Sequence, residues 1–225
     1  MKTFIHSCLL LLLIGVNTQS RVRADITGHW SFEAADLFLS AKIGQYMLEI
    51  DNDTAAAEQF GTTGQGIFAG VPNIAGQPAA VMQFPKTPPP GGYYVPPAAA
   101  PNGGGNNINR YTIIADLLYP SASSGKVRAL FQTDGGGPAE FLVTEGNQLT
   151  FAGGTPGGIL TADQWHRIAI AVDLTANPAI ALFIDGAKVA EGNPSSTVDG
   201  QFSITIPQFS SALCCLTTTT RAGPK

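Results

Sequence analysis

Cysteine is scarce: three in 225 residues, Cys8, Cys214 and Cys215. That excludes a disulfide framework. Cys214 and Cys215 are adjacent, and a bridge between them would close a strained ring outside ordinary disulfide geometry. The apolar core must therefore suffice. Charge is scarce too, at 12 % of residues, which argues against long solvated helices. The three histidines, His6, His29 and His166, are too far apart for a zinc pattern. Basic charge is also short, with 12 Lys and Arg against 16 Asp and Glu. Nucleic acid and anionic membrane surfaces are therefore unsuited partners.

The amino terminus has the layout of a secretory signal peptide. Lys2 precedes an apolar run, Leu9 to Ile14, extended by Phe4, Ile5 and Cys8. Val22-Arg23-Ala24 follows with modest residues at the cleavage positions. The apolar stretch is about ten residues long, too short to span a bilayer. Cleavage after Ala24 removes Lys2, Arg21 and Arg23 and no acid, moving the net charge from −4 to −7. No later run approaches membrane-spanning length, so no stable membrane insertion is expected once residues 1–24 are gone. The expected location is secreted, extracellular or periplasmic.

Glycine and proline are abundant, at 26 and 16, which suits many strands joined by turns. Short strands are expected over 28–33, within 41–51 around Tyr46, Leu48 and Ile50, and over 79–84. Helical character is expected over 55–61. From Pro85 to Asn109 the composition shifts to Pro, Gly, Ala and Asn. Tyr93-Tyr94-Val95 inside it reads as a strand, so the stretch is expected to be a long loop of one domain. Tyr111, Ile113, Ala115, Leu117 and Tyr119 share one face of a strand that Pro120 ends. Another strand, 127–133, follows. Phe141–Thr144 and Gln148–Phe151 form a hairpin through Glu145-Gly146-Asn147.

The most informative stretch is Trp165 to Asp173. Ile168, Ile170 and Val172 lie on one face and Ala169 and Ala171 on the other, the pattern of a central strand covered on both sides. Asp185-Gly186 supplies a type I′ turn. Counting outward pairs Ile184 with Ala187, Phe183 with Lys188 and Leu182 with Val189. The fold class is all-β, an antiparallel two-sheet sandwich or barrel.

Several segments together resemble laminin-G-like, concanavalin A-like domains of exported bacterial proteins. They are Gly28-His29-Trp30-Ser31-Phe32-Glu33, Asn106 to Pro120, Trp165-His166-Arg167-Ile168-Ala169 and Phe183-Ile184-Asp185-Gly186. The resemblance runs from about Gly28 to Phe209. It implies a jelly roll of two antiparallel sheets, with a non-catalytic role in binding extracellular carbohydrate or protein. The expected layout is a signal peptide at 1–24, one domain at 25–213 and an irregular tail at 214–225. The tail departs from the resemblance, because a further strand, an acidic turn and a closing strand are implied there. Two readings stand. Four threonine codons with G in the third position, read two bases along, spell aspartates, so a frame shift near Leu213 would leave the closing C-terminal strand missing. The other reading is a natural polar tail.

Candidate chemistry is sparse. Glu49-Ile50-Asp51-Asn52-Asp53 matches the carboxylate spacing of glycoside hydrolases on this fold, acting on β-glucans. Alternation would put Glu49, Asp51 and Asp53 on one strand face. The plainer alternative is a strand end with a solvated acidic turn. Asp51, Asp53 or Asp134 could furnish oxygens for Ca²⁺, though no loop has regular calcium spacing. Asp134-Gly135-Gly136-Gly137 has no following helix to make a phosphate cradle. Tyr93 and Tyr94 offer a platform for a sugar ring, with at least one expected to pack. His166 is expected at a sheet edge, and Trp30 and Trp165 in the core. A structural surface protein without a discrete ligand is the third function class.

Overall fold

Strand alternation and turn chemistry, read locally, decide most of the architecture. The computed structural model describes residues 25–84, 92–96, 98–133, 139–195, 197–206 and 213–214. The expected signal peptide, Asp134 and residues 215–225 lie outside the described residues, as does most of the tail on which the frame-shift expectation rests.

In the first part of the chain the strands are short: β1 (His29–Trp30), β2 (Ala41–Ile43), β3 (Leu48–Glu49), β4 (Gln59–Thr62), β5 (Ala80–Gln83) and β6 (Tyr93–Tyr94). Then come β7 (Arg110–Leu118), β8 (Arg128–Phe131), β9 (Phe141–Val143), β10 (Leu149–Phe151), β11 (Trp165–Asp173), β12 (Ile180–Ile184) and β13 (Ala187–Gly192), of which β7 and β11 are the longest. A two-residue strand, β14 (Leu213–Cys214), comes last. Two short helices, α1 (Leu37–Ser40) and α2 (Asn52–Ala57), interrupt them. Among the described residues the strands form five antiparallel sheets, ordered β1-β2, β10-β9-β8, β13-β12-β11-β7, β14-β6-β3 and β4-β5. The chain is all-β.

The β13-β12-β11-β7 sheet follows the sequence pattern closely. β11 lies between β12 and β7, with Ile168 opposite both Ile184 and Ala115. Ile168, Ile170, Val172, Ile180 and Leu182 are all buried, and they share one core with Leu130, Phe141, Val143, Leu149 and Phe151 of the β10-β9-β8 sheet. Each such side chain contributes about 1.5–3 kcal/mol on burial. The second face of β11 is not fully covered. On the outer face Thr112, Ile114 and Asp116 are exposed, and Ala169 and Ala171 are only half-buried. Alanine in the middle of that row, between Ile114 and Phe183 in register, leaves little apolar surface to hide.

The β12–β13 hairpin turns as expected, with Asp185 at φ 51° and Gly186 at φ 83°. Ile184 pairs with Ala187 and Phe183 with Lys188. Leu182 pairs with Ala190 instead of Val189, because the ladder slips at a bulge between Leu182 and Phe183. The backbone of the 153–160 loop lies against this bulge. A Cβ on Gly157 would come 1.9 Å from the Val189 carbonyl oxygen, so only glycine fits there.

The first third departs further from expectation. The 28–33 strand shrinks to β1, since Phe32 adopts φ 54° and breaks the extension. The 41–51 strand splits into β2 and β3 around Gly44 at φ 81°. Helix α2 starts earlier than expected and stops at Ala57, and β4 takes over the end of that stretch. A second, smaller core gathers Leu37, Met47, Met82 and Tyr93, with Trp30, Phe32, Phe60, Phe84 and Val95 against it. Trp30 and Trp165 are half-buried, not fully buried. Their indole N–H groups donate to the carbonyls of Gln45 at 3.0 Å and Pro72 at 2.6 Å.

The Gly/Asn-rich end of the expected long loop is held by side chains. Asp199 accepts from the Asn106 and Asn107 backbone N–H groups at 2.7 and 2.9 Å and from Asn109 Nδ2 at 2.9 Å. Fully buried Asn109 returns the contact, accepting from the Asp199 N–H at 2.8 Å. These charge-assisted bonds from Asn106 and Asn109 hold the Asp199 carboxyl below the usual range, against the smaller opposing effect of burial.

Candidate functional site

The three carboxylates expected on one strand face are not brought together there. β3 ends at Glu49, so the alternation does not continue. Asp51 turns its side chain back as the N-cap of α2, accepting from the Thr54 N–H at 2.6 Å. Asp53 sits exposed in the first turn of that helix. A cap bond competes with strand extension for the same backbone, and here it wins.

Glu49 instead meets a carboxyl that the strand pattern did not single out. It lies opposite Tyr93 in the β3–β6 ladder. The buried Tyr93 hydroxyl donates to Glu58 Oε2 at 3.1 Å. Glu58 follows α2 directly as its C-cap. Burial pushes the Glu58 carboxyl up, the Tyr93 hydrogen bond partly offsets this, and the charge of Glu49 with a carboxyl–carboxyl hydrogen bond pushes it further. Asp36 adds a smaller push in the same direction. A carboxyl held raised beside a second carboxyl and a phenol is an arrangement that can serve acid–base chemistry. No local periodicity links Glu58 to Glu49, because α2 and a change of direction lie between them.

The sign of the Glu58 shift sets a test. A carboxyl whose pKa rises on folding stabilises the fold below its unfolded value, and that contribution is lost as pH rises through the folded value. Glu58→Gln keeps an acceptor for Tyr93 and stays neutral. At pH 7 the variant should be more stable than the parent by less than about 1 kcal/mol, the site being partly solvated. Below about pH 4 the advantage should vanish. Urea unfolding at the two pH values measures it, and an equal or reversed difference at pH 7 removes this account of the pair.

Tyr93 packs in the smaller core, edge-to-face on Phe84 with ring centroids 5.2 Å apart, so it is no open platform. Tyr94 is half-buried and lies between Leu48 and Leu213 in the sheet. Among the described residues, no group of three or more His, Cys, Asp or Glu is placed to hold a metal ion. Of the residues expected to serve Ca²⁺, Asp51 is used as a cap, Asp53 is on α2 and Asp134 lies outside the described residues.

His166 lies near the start of β11, paired with Leu117 of β7 and ahead of the β12 ladder, which begins at Ile168. Its Nδ1 meets Asp185 Oδ2 at 2.7 Å and its Nε2 accepts from the Thr161 N–H at 3.0 Å. That assigns the proton to Nδ1, donated to Asp185. The His166 bond holds the Asp185 carboxyl low, burial opposes it, and the Arg167 N–H at 2.8 Å lowers it again. Both ring nitrogens are already bonded, one to Asp185 of the hairpin turn and the other to the Thr161 backbone, so the imidazole has no nitrogen left for a substrate.

No family model matches the chain, and no curated protein or solved structure shows significant similarity to it.

Proposed function

We propose that the chain is an exported, non-enzymatic binding module on a laminin-G-like jelly-roll sandwich, holding carbohydrate or protein outside the cytoplasm. The observation that carries this reading is the pair of antiparallel sheets, β13-β12-β11-β7 and β10-β9-β8, whose side chains share one core. Several polar groups on that framework are engaged within the fold. His166, Asp185, Asp199 and Asn109 fasten turns and loops. A glycan array and a panel of extracellular proteins test the reading, with binding expected and no turnover. Flat results on both would overturn it in favour of a structural surface protein.

A second reading has one specific observation behind it, the Glu49–Glu58 pair with its raised Glu58 carboxyl. Glycoside hydrolysis uses two carboxyls, one of them protonated at working pH. Glu58 would be the acid and Glu49 its partner, in place of Asp51 and Asp53. Hydrolysis of a β-glucan panel that falls by about 100-fold or more in both Glu49→Gln and Glu58→Gln would replace the binding reading. Glycan binding that both substitutions leave unchanged would support it.

A further inference from the structure

Among the described residues β7 is the outermost strand of its sheet, paired only with β11, from Leu118 opposite Trp165 to Arg110 opposite Asp173. In an antiparallel ladder, residues alternate between those that turn N–H and C=O to the neighbour and those that turn them away. The Asn109 carbonyl accepts from Leu174 N–H at 3.0 Å, and the Tyr119 carbonyl from Asp163 N–H at 2.8 Å. Odd-numbered residues therefore face β11 and even-numbered residues face outward. Two of the outward positions are already closed. Ile108 exchanges both backbone bonds with Ile204, at 2.9 and 3.0 Å. Arg110 donates to Asn102 Oδ1 at 2.7 Å and accepts from Asn102 Nδ2 at 3.0 Å, so one side-chain amide stands in for a strand.

Beyond Arg110 the edge is open. Thr112, Ile114, Asp116 and Leu118 turn their backbone groups outward, and no other described residue bonds to them. Thr112, Ile114 and Asp116 are exposed, with Ile114 at 64 % the most exposed large apolar side chain of the sheet. Edges are usually blunted by charged side chains, lysine above all, by proline or by a bulge. Between Thr112 and Leu118 there is no lysine or proline, Asp116 is the one charge, and the β7–β11 register is unbroken. Pro120 comes only after the open run.

We propose that this edge is closed by the same edge of a second copy of the chain, β7 against β7, antiparallel about a two-fold axis at Ile114. The two four-stranded sheets then become one continuous sheet. Charge selects a second copy. Arg110, just before the open run, and Asp116, towards its far end, lie on the same face. Self-pairing about Ile114 sets Ile114 against its own copy and Thr112 against Asp116 of the other chain. Arg110 comes diagonal to that Asp116 at both ends of the seam, a separation long side chains span. A parallel pairing would set like charge over like. Each group keeps its present partner, Asp173 at 3.0 Å from Arg110 and Arg167 at 2.7 Å from Asp116. Charges then alternate across the seam as Asp173, Arg110, Asp116 and Arg167. About six new backbone hydrogen bonds form, and the exposed isoleucine is covered.

Sedimentation velocity of the purified chain across about 1–100 μM, the range of weak self-association, tests the proposal. A dimer is expected. Ile114→Pro removes an N–H that faces away from β11, so β7 keeps its ladder while the seam loses a central donor. Ile114→Lys leaves the backbone intact and places like charge on the axis. Each should weaken the dimer about tenfold or more with the circular dichroism spectrum and melting temperature retained. A parent chain that stays monomeric overturns the proposal, and so does a dimer indifferent to both substitutions.

Discussion

Phe202→Ala should destabilise the fold by about 3–5 kcal/mol, read as a lower urea midpoint at unchanged slope. The side chain is completely buried and joins three parts of the larger core. Its ring meets Phe141 edge-on with centroids 5.3 Å apart and Phe151 at 6.2 Å. Its carbonyl accepts from the buried Tyr111 hydroxyl at 2.8 Å, and its N–H donates to Glu140 Oε1 at 3.3 Å. Burial, with a smaller push from the Glu140 charge, holds the Tyr111 phenol well above its ordinary range, so it stays a donor. Phe202 also adopts φ 72°. A bulky residue in the left-handed region costs about 1–2 kcal/mol and persists only when its surroundings demand it. The usual helix or strand ranking of alanine above glycine should therefore disappear here. Phe202→Gly loses the same ring yet relieves the backbone, and should be no worse than Phe202→Ala. A loss under about 1 kcal/mol in the alanine variant would contradict the assigned packing.

What is legible in the sequence is what is decided within a few residues. Period-two alternation places β7 and β11, and Asp185-Gly186 places the hairpin, because pleat and turn geometry are local. The slip at Leu182 is not legible. It depends on Gly157 approaching Val189 from a loop some thirty residues earlier in the chain. The folding of the Gly/Asn-rich loop is hidden for the same reason, since its anchor, Asp199, comes about ninety residues later. The site shows a different failure. Glu49, Asp51 and Asp53 do have strand spacing, but Asp51 stands before Asn52-Asp53-Thr54-Ala55 and is also a good N-cap. Capping turns the chain and brings Glu58 to Glu49. Two local signals compete over the same residues, and weighing Asp51 as a helix start dissolves the three-carboxylate face from sequence alone. The open edge of β7 is legible in part, since Thr112, Ile114 and Asp116 alternate away from the apolar face. The two closures at Ile108 and Arg110, which delimit it, depend on partners distant in the chain or turned back by a loop.

Glu140→Ala should cost about 3 kcal/mol, for a reason opposite to that of Phe202, since little apolar surface is lost. Glu140 is 2 % exposed, and no Lys, Arg or His among the described residues forms an ion pair with it. Its charge is held by donors alone. Thr133 N–H reaches Oε2 at 2.7 Å, the Thr133 hydroxyl lies 2.9 and 2.7 Å from the two oxygens, and Phe202 N–H reaches Oε1. Thr133 and Glu140 flank residues 134–138, so the carboxylate ties the two ends of that glycine-rich connection and fastens the 197–206 segment to both. Removing it strands buried donors, each costing about 1–3 kcal/mol, partly relieved if water enters the gap. Glu140→Gln separates charge from shape. The amide keeps one acceptor but aims an N–H₂ group at groups that also donate, so it should rescue only part of the loss. Because Glu140 and Phe202 hold the same segment, their effects should not add. A double-mutant cycle should show coupling of about 1 kcal/mol, the range found for residues sharing a partner. Strict additivity would mean that the carboxylate clamps the 133–140 connection without positioning Phe202, and that the ring is held in its left-handed conformation by packing and the Tyr111 hydroxyl alone.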